Sequence, residues 1–147
     1  MITPIALTKA TVYGMMDRGF GRILNITSQS VKAPIASLEL SNGARSGLTG
    51  AIAVMARRAV AKGVTINNIL PGPFDTDRMR GSTKRVAEMK GSTYEAVLAE
   101  RKAGIPAGRF GTTEEFGAAA AFLCSKHGGF ITGQNLLLDG GSFPGSM

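Results

Sequence analysis

Apolar and polar positions fall in blocks whose period changes along the chain. Ile5, Leu7, Ala10, Thr11, Gly14, Met15 and Met16 recur at roughly helical spacing. This predicts a first helix, with Thr3 as its cap, Pro4 at its first helical position and Asp17-Arg18-Gly19 closing it. Gly21 to Ile26 then carries the branched residues Ile23, Leu24 and Ile26 in a short run, as a buried central strand does. Polarity switches on abruptly at Thr27, Ser28, Gln29 and Ser30, and Pro34 falls in the loop that follows. From Leu40 to Lys62 the helical period returns, with Leu48, Ile52, Met55, Ala56 and Ala59 on one stripe, small residues (Gly43, Ala44, Gly47, Gly50, Ala51, Ala53) open to close approach, and Gly63 as terminator.

Val64 to Leu70 reads as a second strand, stopped by Pro71-Gly72-Pro73. Between Thr76 and Gly108 the period weakens, and Thr83–Lys90 and Thr93–Ala103 are expected as two short helices of a partly exposed lid. Thr112-Thr113-Glu114-Glu115 has the form of a capped helix start, continuing to Leu123. Ile131, Leu136, Leu137 and Leu138 frame a last strand ended by Asp139-Gly140-Gly141. Helix, strand, helix, strand, lid, helix, strand is the order of an α/β layered architecture with a parallel sheet. Three strands are few for such a sheet and leave an edge exposed.

Composition narrows the function classes. The chain has 147 residues, long enough for one small domain with a core. Its formal charge of +7 permits an acidic partner. The basic residues are dispersed, with one mild concentration from Arg78 to Lys102, and only 6% of residues are aromatic, so no nucleic-acid partner is expected. Cys124 is the only cysteine and His127 the only histidine. This excludes a disulfide framework and a structural zinc site, and it favours a cytoplasmic setting. Cys124 lies in the apolar run from Ala118 and is expected as a buried thiol. No run reaches the length of a membrane span, and no secretion signal is seen at the N-terminus.

Candidate chemistry gathers where strands end. In an open parallel sheet ligands bind at the C-terminal ends of the strands, which is where Ser28 falls. A hydroxyl there can donate to a developing alkoxide, or it can merely cap the following loop. Gly21-Arg-Ile-Leu-Asn-Ile-Thr-Ser28, Ile66-Asn-Asn-Ile-Leu-Pro-Gly-Pro-Phe-Asp-Thr76 and Phe130-Ile-Thr-Gly-Gln-Asn-Leu-Leu-Leu-Asp-Gly-Gly141 carry, in this order and spacing, a family resemblance that covers almost the whole chain. The chain resembles the C-terminal half of the short-chain dehydrogenases/reductases, in particular members similar to 3-oxoacyl-carrier-protein reductases.

The resemblance implies a partial Rossmann-like domain over residues 1–147, with a substrate lid at 74–108. It also implies hydride transfer between NAD or NADP and a carbonyl or hydroxy compound. It places the carbonyl-orienting serine on Ser28, the nicotinamide-side turn on Pro71 and Gly72, and the carboxamide ligand on Thr76. Ser30, Phe74 and Tyr94 would shape the substrate pocket, with Ile69 or Leu70 lining the floor. The family's general-acid tyrosine and its partner lysine fall on Ser41 and Arg45, four apart on one helix face. Serine is a poorer acid than a phenol. Arginine keeps the charge that can hold a ribose hydroxyl, but it stays protonated. Tyr94 in the lid and Tyr13 on the first helix are the phenols available as substitutes, although ordinary packing or a surface position is the simpler reading of each.

No Gly-x-Gly-x-x-Gly turn occurs in these residues, and the family's catalytic asparagine falls at or before Met1. The chain is therefore expected to be a piece of a longer enzyme made by cleavage or an internal start, a gene fragment that self-associates, or a longer protein given in part. By resemblance, the helices at 5–18 and 40–62, and the helix at 113–123 with the last strand, would pair subunits into a dimer or tetramer. The missing half is a further possible partner. A non-catalytic oligomerising module is the alternative function.

Overall fold

A computed structural model describes residues 1–145. Helix α1 spans Ile2–Asp17, strand β1 Gly21–Ile26 and helix α2 Glu39–Ala59, which runs on as a 3₁₀ turn, Val60–Lys62. Strand β2 is Val64–Pro71, the lid helices are α3 (Asp77–Lys90) and α4 (Tyr94–Ala103), helix α5 is Thr113–Cys124, and strand β3 is Asn135–Leu138. The sheet order is β1-β2-β3, with both pairs parallel. This is the expected Rossmann-like α/β arrangement, with β2 at the centre.

The core follows from the stripe on α2. Leu48, Ile52, Ala56 and Ala59 are buried against Val12 of α1 and Val64 and Ile66 of β2. Ile23 packs against this cluster, whereas its neighbour Arg22 donates to the Ser125 carbonyl at the end of α5. Successive side chains of a strand point to opposite faces, so α5 lies across the sheet from α1 and α2, making three layers. Gly63 closes α2 with φ +74°, and a Cβ there would stand 2.2 Å from the Gly19 carbonyl oxygen. Only glycine fits that crossing.

Two asparagines of β2, each 1% exposed, brace the third strand. Asn67 donates to the Ile131 carbonyl and accepts from the Gln134 N–H, and Asn68 donates to Asn135 Oδ1. A buried amide tolerates the interior when it is paired, as Asn67 is through both its N–H and its oxygen. Ile131 consequently sits in the loop before β3 rather than in the strand.

Several expectations are corrected. Helix α1 begins at Ile2 with Met1 at its cap position and no side-chain cap, so Thr3 caps nothing. Pro4 is still within the first turn, where its missing N–H costs no helical bond. Helix α3 starts at Asp77, six residues before the expected Thr83, because Thr76 accepts from the Met79 N–H and caps it. Cys124 is exposed, since Leu123 is the one buried residue of α5. Gly43 and Gly50 meet nothing within 4 Å, so of these three glycines Gly47, against Met1, is the one that uses a close approach among the described residues.

Candidate active site

The site is a cleft of about 1070 Å³ at the C-terminal ends of β1 and β2. Its wall on the β1 side begins with Thr27, whose N–H donates to the Ile69 carbonyl and whose hydroxyl donates to the same oxygen. Ser28 follows in extended conformation, and its Oγ accepts from the Ser30 N–H at 3.1 Å. The loop-capping role is thus real, and the Ser28 hydroxyl proton stays free to donate into the cleft. Ser30 lines the same wall and is 2% exposed.

Helix α2 supplies Ser41 and Arg45. Arg45 Nε donates to Ser41 Oγ at 3.1 Å, and Nη1 donates to the Thr27 carbonyl. One guanidinium therefore ties the helix to the end of β1 and holds the two hydroxyl-bearing segments together. Its fixed fork suits several acceptors at once, which a lysine ammonium would meet as a point charge.

The β2 side is set by Pro71-Gly72-Pro73. A Cβ on Gly72 would lie 2.6 Å from Asp139 Cβ and 2.8 Å from Gln29 Oε1, so the absence of a side chain lets the turns after β1, β2 and β3 converge. Asp139 holds the last of these, accepting from the N–H groups of Gly141 at 2.9 Å and Phe143 at 2.7 Å. Phe74 then packs edge-to-face on Phe116, with ring centroids 5.5 Å apart. The lid is closed at its base: the Gly111 N–H donates to the Pro73 carbonyl, and the Asp75 N–H donates to the Gly111 carbonyl.

Ser28, Ser30, Ser41, Arg45, Pro71, Gly72, Phe74 and Thr76 all line this one cleft. Tyr94 does not; it opens α4, and the cleft is lined on that helix by Arg101 instead. Tyr13 is 67% exposed on α1 and lies outside the cleft lining as well. Ile69 and Leu70 are fully buried beneath the cleft and do not form its floor.

Sequence reasoning missed Gln29, Arg78, Ser82 and Arg101 among the lining residues. Arg101 had a legible signal: it stands four residues after Val97, the buried position of α4, and so shares its face. No group of acidic, histidine or cysteine residues suited to a metal occurs among the described residues, and no helix there is long and apolar enough to cross a membrane.

A family model described as "Enoyl-(Acyl carrier protein) reductase" matches residues 1–142. The acetoacetyl-CoA reductase of Rhizobium meliloti (strain 1021) is 36% identical over 131 residues, which are 88% of this chain and 50% of the relative. The 3-oxoacyl-[acyl-carrier-protein] reductase FabG of Vibrio cholerae is 34% identical over 137 residues, covering 93% of this chain and 52% of the relative. The crystal structure of YwfH, an NADPH dependent reductase involved in bacilysin biosynthesis, matches with a TM-score of 0.90 at 30% identity. That match covers 98% of this chain and 55% of the solved one. The chain spans about half the length of the curated relatives it matches.

Proposed function

This chain belongs to the short-chain dehydrogenase/reductase family, and from that premise we propose that it forms the substrate half of an oxidoreductase acting on a carbonyl or hydroxy compound with NAD or NADP. The observation that carries the reading is the convergence of Ser28, Ser41, Arg45, Gly72 and Thr76 on one cleft at the strand ends. The relatives named above are reductases by their descriptions, and those descriptions give no support to a non-catalytic module.

The residues present fit the nicotinamide end of the cofactor. Thr76 Oγ1 accepts from the Met79 N–H and still has its proton to donate to a carboxamide oxygen. Arg45 holds a fixed positive charge beside Ser41, where a ribose hydroxyl can accept from it. The Gly-rich turn that cradles a pyrophosphate does not occur in these 147 residues. The nicotinamide, when bound, supplies or takes the hydride.

Ser28 donates its hydroxyl proton to the carbonyl oxygen and fixes the orientation of the substrate. Ser41, beside the Arg45 guanidinium, is the hydroxyl nearest the place of the family's acid, and its weaker acidity makes proton delivery the slow part of any turnover. This chain by itself is expected to show little or no activity, while the longer protein, assembled as a dimer or tetramer, is the expected working form.

Nicotinamide mononucleotide tests the reading without the pyrophosphate cradle. Titrated into the labelled chain, it should shift amide resonances at Gly72, Thr76 and Arg45, and Thr76→Val should weaken that response severalfold. A titration that leaves those resonances unmoved overturns the reading.

A further inference from the structure

Among the described residues the cleft is lined by three arginines, Arg45, Arg78 and Arg101, and by no carboxylate. Its other polar lining is neutral: eight hydroxyl side chains (Thr27, Ser28, Ser30, Ser41, Thr76, Ser82, Thr113 and Ser142) and the Gln29 amide. Such a wall offers donors and positive charge without a built-in counter-ion.

The lid makes this arrangement specific. Asp75 and Asp77, at the start of α3, are both taken by Arg80, and Glu100 on α4 is taken by Lys90. Arg78 and Arg101 have no ion-pair partner among the described residues. Arg101, half-buried on α4, donates only to neutral acceptors on α3: Thr83 Oγ1 at 2.9 Å, Met79 Sδ at 3.1 Å and Ser82 Oγ at 3.1 Å.

These contacts use both N–H groups of Nη1 and one of Nη2. A guanidinium has five donors, so the Nε–H and a second Nη2–H are left over. Nε and Nη2 share the side-on edge that takes a carboxylate or phosphate through two parallel bonds. A half-buried cation paired only with hydroxyls and a thioether is costly to hold unless an anion completes it.

The geometry points to an oxyanion-binding end of the cleft formed by Arg101 and Arg78, so that the substrate is an oxo compound carrying a negatively charged carboxylate or phosphate. This rests on the reductase reading above, with the substrate's carbonyl at Ser28 and its charged group under the lid. The competing role for Arg101 is a brace between α3 and α4, which has no preference for charge.

The test uses this chain with acetoacetate and its uncharged methyl ester as paired probes, followed by amide chemical shifts in the lid and by calorimetry. Acetoacetate should bind about tenfold more tightly than the ester, with the largest shifts in α3 and α4, and the preference should shrink as salt rises. Arg101→Gln should abolish the preference, and Arg101→Lys should retain part of it. The Arg78 side chain makes no hydrogen bond or ion pair among the described residues, so Arg78→Gln, which leaves folding intact, should reduce the preference about threefold.

Equal binding of acid and ester, or no saturable binding of either, overturns the inference. So does a preference that survives both glutamine variants. Inorganic phosphate and nicotinamide mononucleotide separate the sources of the anion. If the glutamine variants weaken the mononucleotide but leave the acid-over-ester preference unchanged, the arginines serve the cofactor phosphate and the inference falls. Mononucleotide binding without a charge preference keeps the reductase reading and removes this one. A charge preference without mononucleotide binding does the reverse.

Discussion

Strand β2 and the lid helices α3 and α4 are consecutive in sequence and are held by opposite means. Every residue of β2 from Val64 to Leu70 is buried, and the strand is hydrogen-bonded on both sides. The lid buries little: Thr83 and Ala87 on α3, and Val97 on α4. Polar contacts link its two helices, with Arg101 reaching three acceptors on α3 and Lys90 paired to Glu100. Apolar burial is non-directional and large, whereas exposed ion pairs contribute little and are screened by salt. The sheet is therefore the rigid half of the site. The lid is the part whose contacts a ligand can complete.

The sharpest way to break this contrast is in the strand. Ile66 is fully buried in the core cluster, and Ile66→Ala should cost about 2–5 kcal/mol in a urea unfolding curve, enough to lose the fold of a small domain. Gly72→Ala comes next. Its Cβ meets the Cα of Asp139 at 2.7 Å, so the turns after β2 and β3 must separate, with a cost of roughly 1–3 kcal/mol that the same curve reads.

In the lid, Arg101→Leu removes three hydrogen bonds and leaves Thr83 Oγ1, in a fully buried residue, without its donor. Hydrogen exchange should accelerate across Tyr94–Ala103 while Val64–Pro71 stays protected. A global loss of protection would show that the two regions are not separable.

A pH titration probes the start of α5. The Arg109 guanidinium, together with the Thr112 N–H, holds the Glu115 carboxyl well below its ordinary 4.5, at about 2. A carboxylate depressed on folding stabilises the native state fully above its unfolded value. That contribution is lost as pH falls from about 4.5 towards 2. Wild type should lose stability in that window, and Glu115→Gln should flatten this part of the profile. The smallest effect is expected from Lys90→Met. Its partner Glu100 is solvent-exposed, so the unfolding midpoint should barely move, and any difference should vanish in high salt.

Elements with a strong local cause were legible in the sequence. The capping box at Thr112 and Glu115 forms as expected, with each side chain accepting from the other's N–H. Gly19 and Gly63 take the left-handed conformation that ends their segments. The polarity switch at Ser28 and the stop at Pro71 mark the strand ends that build the cleft. Less legible was α3, whose opening Asp77-Arg78-Met79-Arg80-Gly81-Ser82 lacks an apolar stripe. It is started by the Thr76 cap, the acidic first-turn residue and the Asp77–Arg80 pair. Cys124 and Tyr94 misled for one reason: an apolar or aromatic residue in an amphipathic segment does not reveal which face the neighbouring layer covers.

The sequence by itself determined the order of elements, the parallel sheet, the family and the serine-arginine pair at Ser41 and Arg45, because these depend on local periodicity, capping and motif spacing. The tertiary structure alone decided which charges meet. Arg80 takes both aspartates and Lys90 takes Glu100, so Arg78 and Arg101 reach the cleft without a carboxylate. The Arg80 pairs are local to the start of α3, but the Lys90–Glu100 pair and the contacts of Arg101 depend on how α3 and α4 cross. A count of charges along the chain contains no information about it, because pairing acts through a few ångströms of space and not through position in the chain.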